Sequence, residues 1–198
     1  MEEFLIKLRK CNNSINNDND QLNNVIHVTK ELLGDRGYSF VMYPIYKSML
    51  DIKPVIIAKK NNKSFFVFFC IEERIGIKLF KKILLEYDLE DNYMLVSLHG
   101  PTPFTRKECN PQVEFFTYKQ LFINITKHSL VPKHELVTNA ERQILKDNYA
   151  LSDSFNELPK ILCTDPICQY YAFSPGDIVR ITRTIGTTEP LFFYRYVC

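Results

Sequence analysis

The fold is decided by residues 158–184, which read LPKILCTDPICQYYAFSPGDIVRITRT. In this stretch Asp165 can cap a helix, and Pro166 takes the first helical position, where its missing N–H is no loss. Pro175 and Gly176 suit the central positions of a type II turn, which leads into the strand IVRIT. The local signals all agree on a strand, a capped helix, a turn and a second strand. Such agreement is typical of a compact folding unit rather than a reaction site.

The flanking sequence extends this unit in both directions. Upstream, Thr138 followed by Glu141 at the third position after it forms a capping box, which opens a helix in AERQILKDNYAL. Downstream, LFFYRYV is rich in aromatic residues and predicts the last strand. We therefore expect a small two-layer α/β domain over residues 127–198.

The N-terminal region alternates helices and strands. An apolar stripe at helical spacing predicts a helix over 21–33, with Gly34 as its left-handed cap. VIIAKKNNKSFFVFFCI predicts a hairpin around its asparagine pair, and its second strand is apolar on both faces, as a central strand covered by helices would be. IGIKLFKKILLEYDL predicts such a helix, and YMLVSL and VEFFTY predict further strands. Residues 1–126 form a predicted α/β domain, in which the asparagine-rich segment 11–24 is expected to be a flexible loop or a frayed helix start.

Composition narrows the function classes. The 198 residues are 45% hydrophobic, enough for one large domain or two small ones, and the formal net charge is only +2. So small an excess does not suit a protein that grips nucleic acid through a broad basic face. No run of about 18 apolar residues appears, so we expect no membrane contact. The six cysteines lack paired spacing, which favours free thiols over disulfides or a zinc site, and we expect no metal and no other cofactor.

Short sequence patterns were considered as signs of catalysis or of nucleic-acid binding. Asp51-Ile52-Lys53 fits the acidic-x-Lys element of metal-dependent nucleases, although the β-rich run follows this element instead of carrying it. His128 and His134 lie in an extended, proline-containing segment that does not place them on one helical face, and no serine lies in a nucleophile-elbow context. The sequence therefore predicts no catalytic residue. A metal-dependent nuclease and a stand-alone nucleic-acid-binding module remain the alternatives.

Two basic stretches could contact phosphates. In VRITRT, Arg180 and Arg183 alternate with apolar residues on a predicted strand, which is at least as typical of an exposed sheet edge or a salt-bridged interface. PFTRKE is better placed for a phosphate contact, because it lies on the predicted turn around HGPTPFT.

The C-terminal sequence resembles a known family. Over NITKHSLVPKHELVTNAERQILKDNYALSDSFNELPKILCTDPICQYYAFSPGDIVRITRT and YRYV it looks like the fifth subunit of eukaryotic DNA-dependent RNA polymerases, a family that also has an archaeal RNA polymerase member. The elements LVPKH, LPKI, DP, YY and PGDIV carry this resemblance, which covers nearly all of the C-terminal domain. The N-terminal part is similar more loosely, through TKELLGDRGY, IGIKLFKKIL and the Thr102-Pro103 turn. Where the family has a Ser-Glu-Thr-x-Gly run before the last strand, this chain has IGTTE at 185–189.

The resemblance implies a non-catalytic, zinc-free subunit shared among nuclear polymerases. The C-terminal domain would pack on the largest subunit. The N-terminal domain, with a nuclease-like topology but no active site, would form part of the lower jaw near downstream DNA. The partners so implied are the largest and other polymerase subunits, downstream duplex DNA and transcription factors. A nuclear location follows, or a cytoplasmic virus factory or virion if a large DNA virus encodes the chain.

Two sets of candidate site residues follow. Near DNA we expect the turn at Thr102 and Pro103, with the cations Arg106 and Lys107 beside it. The candidates for the polymerase interface, or for the fold of the C-terminal domain, are His128, Pro132, Lys133, His134, Pro159, Lys160, Asp165, Pro166, Tyr170, Tyr171, Gly176, Asp177, Arg180, Arg183, Tyr194 and Arg195.

Overall fold

The chain divides into two compact units. A computed structural model describes residues 18–43, 53–87, 92–110, 112–184 and 189–198. The units are Met1–Ile123 and Asn124–Cys198, so the second begins slightly before the division at residue 127 that the sequence suggests. Each unit contains one sheet with helices, and the predicted α/β class is confirmed.

The N-terminal unit is built on a sheet of five described strands in the order β1-β2-β3-β4-β5. The pairs β1–β2 and β2–β3 are antiparallel, whereas β3–β4 and β4–β5 are parallel. The elements of this unit are α1 (Asp18–Asp35), β1 (Ser39–Met42), β2 (Ile56–Lys60), β3 (Lys63–Phe69), α2 (Ile77–Glu86), β4 (Asn92–Ser97), α3 (Pro103–Glu108), β5 (Val113–Thr117) and a 3₁₀ turn (Tyr118–Leu121).

Strand β3 lies at the centre of this sheet and is covered on both faces, as predicted. On one face Phe68 packs with Phe80 and Ile83 of α2 in a buried cluster. On the other face the ring of Phe69 lies 6.1 Å from that of Tyr118, whose hydroxyl donates to the carbonyl of Cys70 at 3.1 Å. Helix α1 packs on the 3₁₀ turn that carries this tyrosine. The apolar run of β3 thus reflects burial on two sides.

The hairpin turn of this unit forms as the sequence predicts, whereas the end of α1 does not. Asn61 and Asn62 both have positive φ, 50° and 64°, as the tight hairpin turn requires. Gly34, in contrast, stays inside α1, and the left-handed glycine is Gly37 with φ 78°. The predicted cap is wrong because the helix continues past Gly34 to Asp35. The chain turns after the helix, and the amide of Gly37 donates to the carbonyl of Gly34 at 2.8 Å.

The start of α1 lies within the asparagine-rich segment 11–24, whose residues from Asp18 onward are helical. The rest of the expectation for this segment falls outside the described residues, as does Asp51-Ile52 of the nuclease-like element. Strand β1 was not predicted, because its four residues are mostly exposed and carry no clear alternation of polar and apolar side chains.

The C-terminal unit contains a sheet of four described strands in the order β6-β8-β9-β7. One apolar cluster joins Cys168 to Val179 and Ile181, and a second joins Leu145 to Ile178. Because neighbouring residues of one strand point to opposite faces, the two clusters lie on the two faces of the sheet. The elements are a 3₁₀ turn (Ile125–Lys127), β6 (Lys133–Leu136), α4 (Asn139–Tyr149), β7 (Lys160–Ile161), α5 (Pro166–Tyr171), β8 (Ile178–Arg183) and β9 (Leu191–Val197).

Strand β8, which carries Arg180 and Arg183, is an interior strand of the sheet. It pairs with β6 on one side and β9 on the other, so it is not the exposed sheet edge that its alternating pattern allowed. The short strand β6 was expected only as an extended segment. It pairs antiparallel with β8, which places Glu135 opposite Arg180.

Candidate assembly and nucleic-acid interfaces

The candidate DNA-facing residues lie on a short helix rather than on a turn. Thr102 caps α3, its Oγ1 accepting from the amide of Thr105 at 3.3 Å, and Pro103 takes the first helical position. Arg106 and Lys107 occupy the last turn and are exposed. The prediction of a turn is wrong because Thr102 and Pro103 start a helix. A capping side chain followed by proline also starts the helix at Asp165 and Pro166.

Helix α3 is held by the segment that precedes α2. The amide of Thr102 donates to the carbonyl of Ile75 at 3.1 Å, and the amide of Ile75 donates to the carbonyl of Gly100 at 3.1 Å. Gly100 has φ 72°, a conformation that glycine adopts without strain, and its amide donates to the hydroxyl of Ser97 at 3.0 Å. The two cations are therefore presented from a fixed helix, and their position at its C-terminal end suits the helix dipole.

In the C-terminal unit, α5 forms as the sequence predicts. Asp165 accepts from the amide of Ile167 at 2.9 Å, and Pro166 takes the first helical position. The predicted turn is also confirmed, since the amide of Asp177 donates to the carbonyl of Ser174 at 3.0 Å and Gly176 has φ 96°. These residues shape the unit through local bonds.

The two tyrosines of α5 have different surroundings. The hydroxyl of Tyr170, a buried residue, accepts from Nδ2 of Asn124 at 3.1 Å. Tyr171 is half-buried, with its ring 5.1 Å from that of Tyr170 and stacked at 5.3 Å on Phe173. Tyr170 therefore ties the start of the unit to α5.

Arg180 is engaged within its own unit. Its guanidinium donates to Oε1 of Glu141 at 2.6 Å and to Oε2 of Glu135 at 3.2 Å, joining α4 to β6. Lys133 also pairs with Glu135, at 2.7 Å. The hydrogen bond from Lys133 and the contact with Arg180 hold the pKa of the Glu135 carboxyl below its ordinary value. Arg180 thus joins α4 to the sheet. Of the two roles predicted for it, an exposed sheet edge or a salt-bridged position, it has the salt-bridged one.

The remaining candidates fall into structural and exposed groups. His128 and Pro132 lie in the turn before β6, where the carbonyl of Pro132 accepts from Nδ1 of His134 at 2.7 Å. Burial lowers the pKa of His134. The carbonyl of Pro159, an exposed residue, accepts from the amide of Tyr196 at 2.9 Å. Lys160, Arg183 and Arg195 are exposed.

A groove along β9 was not predicted. It measures about 410 Å³ and is lined by Tyr149, Leu158, Pro159, Ile181, Arg183, Phe192, Phe193, Tyr194 and Arg195. Leu191, Phe192 and Phe193 are large apolar residues with 47%, 52% and 46% of their surface exposed. The signal was present in LFF, because three successive apolar residues on a strand must place side chains on both faces of the sheet.

The described residues show no group of side chains arranged to hold a metal ion. Five cysteines lie in the described part of the chain, and each is a free thiol, as predicted for them. None of the described helices is both long and apolar enough to cross a membrane. The described residues thus present two surface features, the exposed cations of α3 and the apolar groove along β9.

Comparison with known proteins gives the family. Residues 123–197 match the family model described as RNA polymerase Rpb5, C-terminal domain. The chain is 30% identical to the DNA-directed RNA polymerases I, II, and III subunit RPABC1 of Caenorhabditis briggsae, over 90% of this chain and 85% of that protein. It is 28% identical to the corresponding Dictyostelium discoideum subunit, over 89% of this chain and 98% of the relative. It is 25% identical to DNA-directed RNA polymerase subunit 5-like protein 1 of Arabidopsis thaliana, over 89% and 97%. The chain therefore belongs to the family of Rpb5-type, non-catalytic subunits of DNA-directed RNA polymerases.

Proposed function

We propose that this protein assembles into a DNA-directed RNA polymerase, with its C-terminal unit anchored on the largest subunit and its N-terminal unit near downstream DNA. The observation that carries the proposal is the agreement between the compact unit Asn124–Cys198 and the family match over 123–197. The part of the chain that matches the family model is thus a folding unit with its own core. A folding unit with its own core presents a fixed surface that other subunits can recognise.

The C-terminal unit offers an assembly surface of mixed character. Lys160, Arg183 and Arg195 are exposed beside the apolar side chains of the groove. Aromatic and arginine side chains are enriched in protein interfaces, where they supply much of the binding energy. We assign these residues to the contact with the polymerase. Asp165, Gly176 and Arg180 shape the unit that presents them.

The N-terminal unit offers a smaller contact to DNA. Arg106 and Lys107 of α3 are exposed and would meet phosphates, because nothing beside them offers planar recognition of base edges. Transcription factors are further partners of this surface. We place the protein where its polymerase works, in the nucleus, or in a virus factory or virion if a large DNA virus encodes it.

The anchoring role is tested with fragments. A fragment of residues 124–198 is expected to melt cooperatively and to retain the largest subunit in a pull-down, because its caps, turns and core are internal. A fragment of residues 127–198 should melt at a lower temperature, since it lacks Asn124 and the bond to Tyr170. A folded 124–198 fragment that retains no polymerase subunit, while the full chain does, would contradict the anchoring role.

The DNA-facing role is tested by charge reversal on α3. The double change Arg106→Glu and Lys107→Glu should leave assembly intact but make stalled elongation complexes dissociate at lower salt. Removing one phosphate contact lowers the salt slope of binding by about one unit. The measurement is complex lifetime against potassium chloride concentration, with a downstream DNA arm that reaches the jaw and with one that is too short. Equal salt sensitivity of mutant and parent on the long arm would refute the role of these two residues.

A further inference from the structure

Strand β9 has one open edge in the described structure. Its seven residues pair along β8, but on the other side β7 covers only Tyr196 and Val197. The stretch 191–195 has no strand beside it there among the described residues. An uncovered strand edge is a template on which an extended segment can form main-chain hydrogen bonds.

The register identifies the groups that face this edge. The amide of Val197 donates to the carbonyl of Asp177, on the β8 side, whereas the amide of Tyr196 donates to the carbonyl of Pro159, on the β7 side. Since these directions alternate along an antiparallel strand, the amides and carbonyls of Phe192 and Tyr194 point toward the open edge. No described group accepts from either amide.

The groove of about 410 Å³ runs along the same edge. Its lining combines Phe193 from one face of the sheet with Phe192 and Tyr194 from the other, and adds Tyr149 at the end of α4 and Leu158 before β7. A strand entering here would point its side chains alternately to the two faces and would meet apolar surface on both.

Two cations at this groove lack an acidic partner in the described part of the chain. Arg183 and Arg195 form no ion pair with a carboxylate of the described residues, although Arg180 on the same strand as Arg183 is paired with two. The guanidinium of Arg183 lies 5.4 Å from the centre of the Phe193 ring. The groove therefore offers an apolar floor beside two arginines that no described carboxylate neutralises, and this combination is complementary to an acidic segment.

We propose that the open edge of β9 receives one extended, acidic and apolar segment of a polymerase subunit as an added strand. The segment pairs with the main chain of Phe192 and Tyr194 and directs carboxylates toward Arg183 and Arg195. This inference rests on the proposed function for the identity of the partner. A duplex DNA ligand at the same groove would instead present phosphates and no main-chain donors or acceptors.

Hydrogen exchange at single amides tests the added strand. The full chain is compared alone, assembled in the polymerase and mixed with a short DNA duplex. In the free chain the amides of Phe192 and Tyr194 should exchange fast, while those of Phe193 and Arg195, which donate to β8, are slow. Assembly should slow the first pair at least about 10-fold and leave the second pair slow.

A matched pair of charge reversals tests the acidic character of the segment. Arg183→Glu with Arg195→Glu should raise the dissociation constant for the polymerase at least about 10-fold. Lys81→Glu with Lys82→Glu, two exposed positions on α2, is the control and should not change it. Unchanged thermal unfolding of both variants separates loss of binding from loss of fold.

The outcomes distinguish this inference from the function on which it rests. A full chain that does not co-purify with polymerase subunits overturns both. A chain that co-purifies while Phe192 and Tyr194 exchange as fast as before overturns only the added strand. Protection of these amides by the DNA duplex alone also overturns it, and unchanged affinity of the double arginine variant overturns the acidic segment.

Discussion

Helices α3 and α5 begin with the same chemistry and end in opposite surroundings. Both are six residues long, with a capping side chain followed by proline. At the second helical position α3 has Phe104, which is 59% exposed, and α5 has Ile167, which is 8% exposed. The cap and the proline therefore specify that a helix forms, while neighbouring elements decide whether it contributes to a core or to a surface.

Truncation at that second position should give the largest contrast. Ile167→Ala removes a buried side chain and should lower the free energy of unfolding by about 2–3 kcal/mol. Phe104→Ala, the matched change in α3, should cost no more than about 0.5 kcal/mol because the ring is mostly in solvent. Urea unfolding followed by circular dichroism measures both. Equal losses would show that the two helices are buried to the same extent in solution.

Thiol reactivity should separate the same two helices. Burial raises the pKa of the Cys168 thiol to about 11, from an ordinary 9.0, so at pH 8 its thiolate fraction is about 100-fold below that of an ordinary thiol. Cys109, which follows α3 and is only half-buried, should react faster with iodoacetamide, as measured by mass spectrometry of timed samples. The raised pKa also stabilises the fold fully below about pH 9, and this contribution is lost as the pH rises toward about 11. Comparable rates for the two thiols in the native chain would contradict the burial of α5.

Removing the caps should give the smallest contrast, because the caps are what the two helices share. Asp165→Ala and Thr102→Ala each remove one acceptor from the helix start and should each cost about 1 kcal/mol. Replacement by serine or asparagine, which also cap, should restore most of the loss. The comparison requires urea unfolding of all variants under one set of conditions. A cost in α5 but none in α3 would mean that α3 is held only by the segment before α2.

Elements whose signals lie within a few residues could be predicted from the sequence. The capping box at Thr138, the turn at Gly176, the asparagine hairpin and the cap of α5 all form as expected. Each depends on a side chain bonding to nearby main chain or on a φ value that the residue favours, and neither needs a distant partner. The alternation of helices and strands, which indicates the α/β class, is also read from short stretches of sequence. The motifs LPKI, DP and PGDIV, which indicated the family, lie beside the cap of α5 and the turn at Gly176.

The tertiary structure alone decided the roles of residues that look alike in the sequence. Arg180 and Arg183 share one strand, but pairing of β6 beside β8 brings Glu135 to Arg180 while Arg183 stays exposed. In the same way, because β7 is short, most of β9 has no described strand beside it on that edge. Burial and ion pairing depend on which elements come together, and the free energy of that packing is shared among residues far apart in the chain. A local pattern therefore specifies the helix or strand, and only its neighbours determine what its side chains contact.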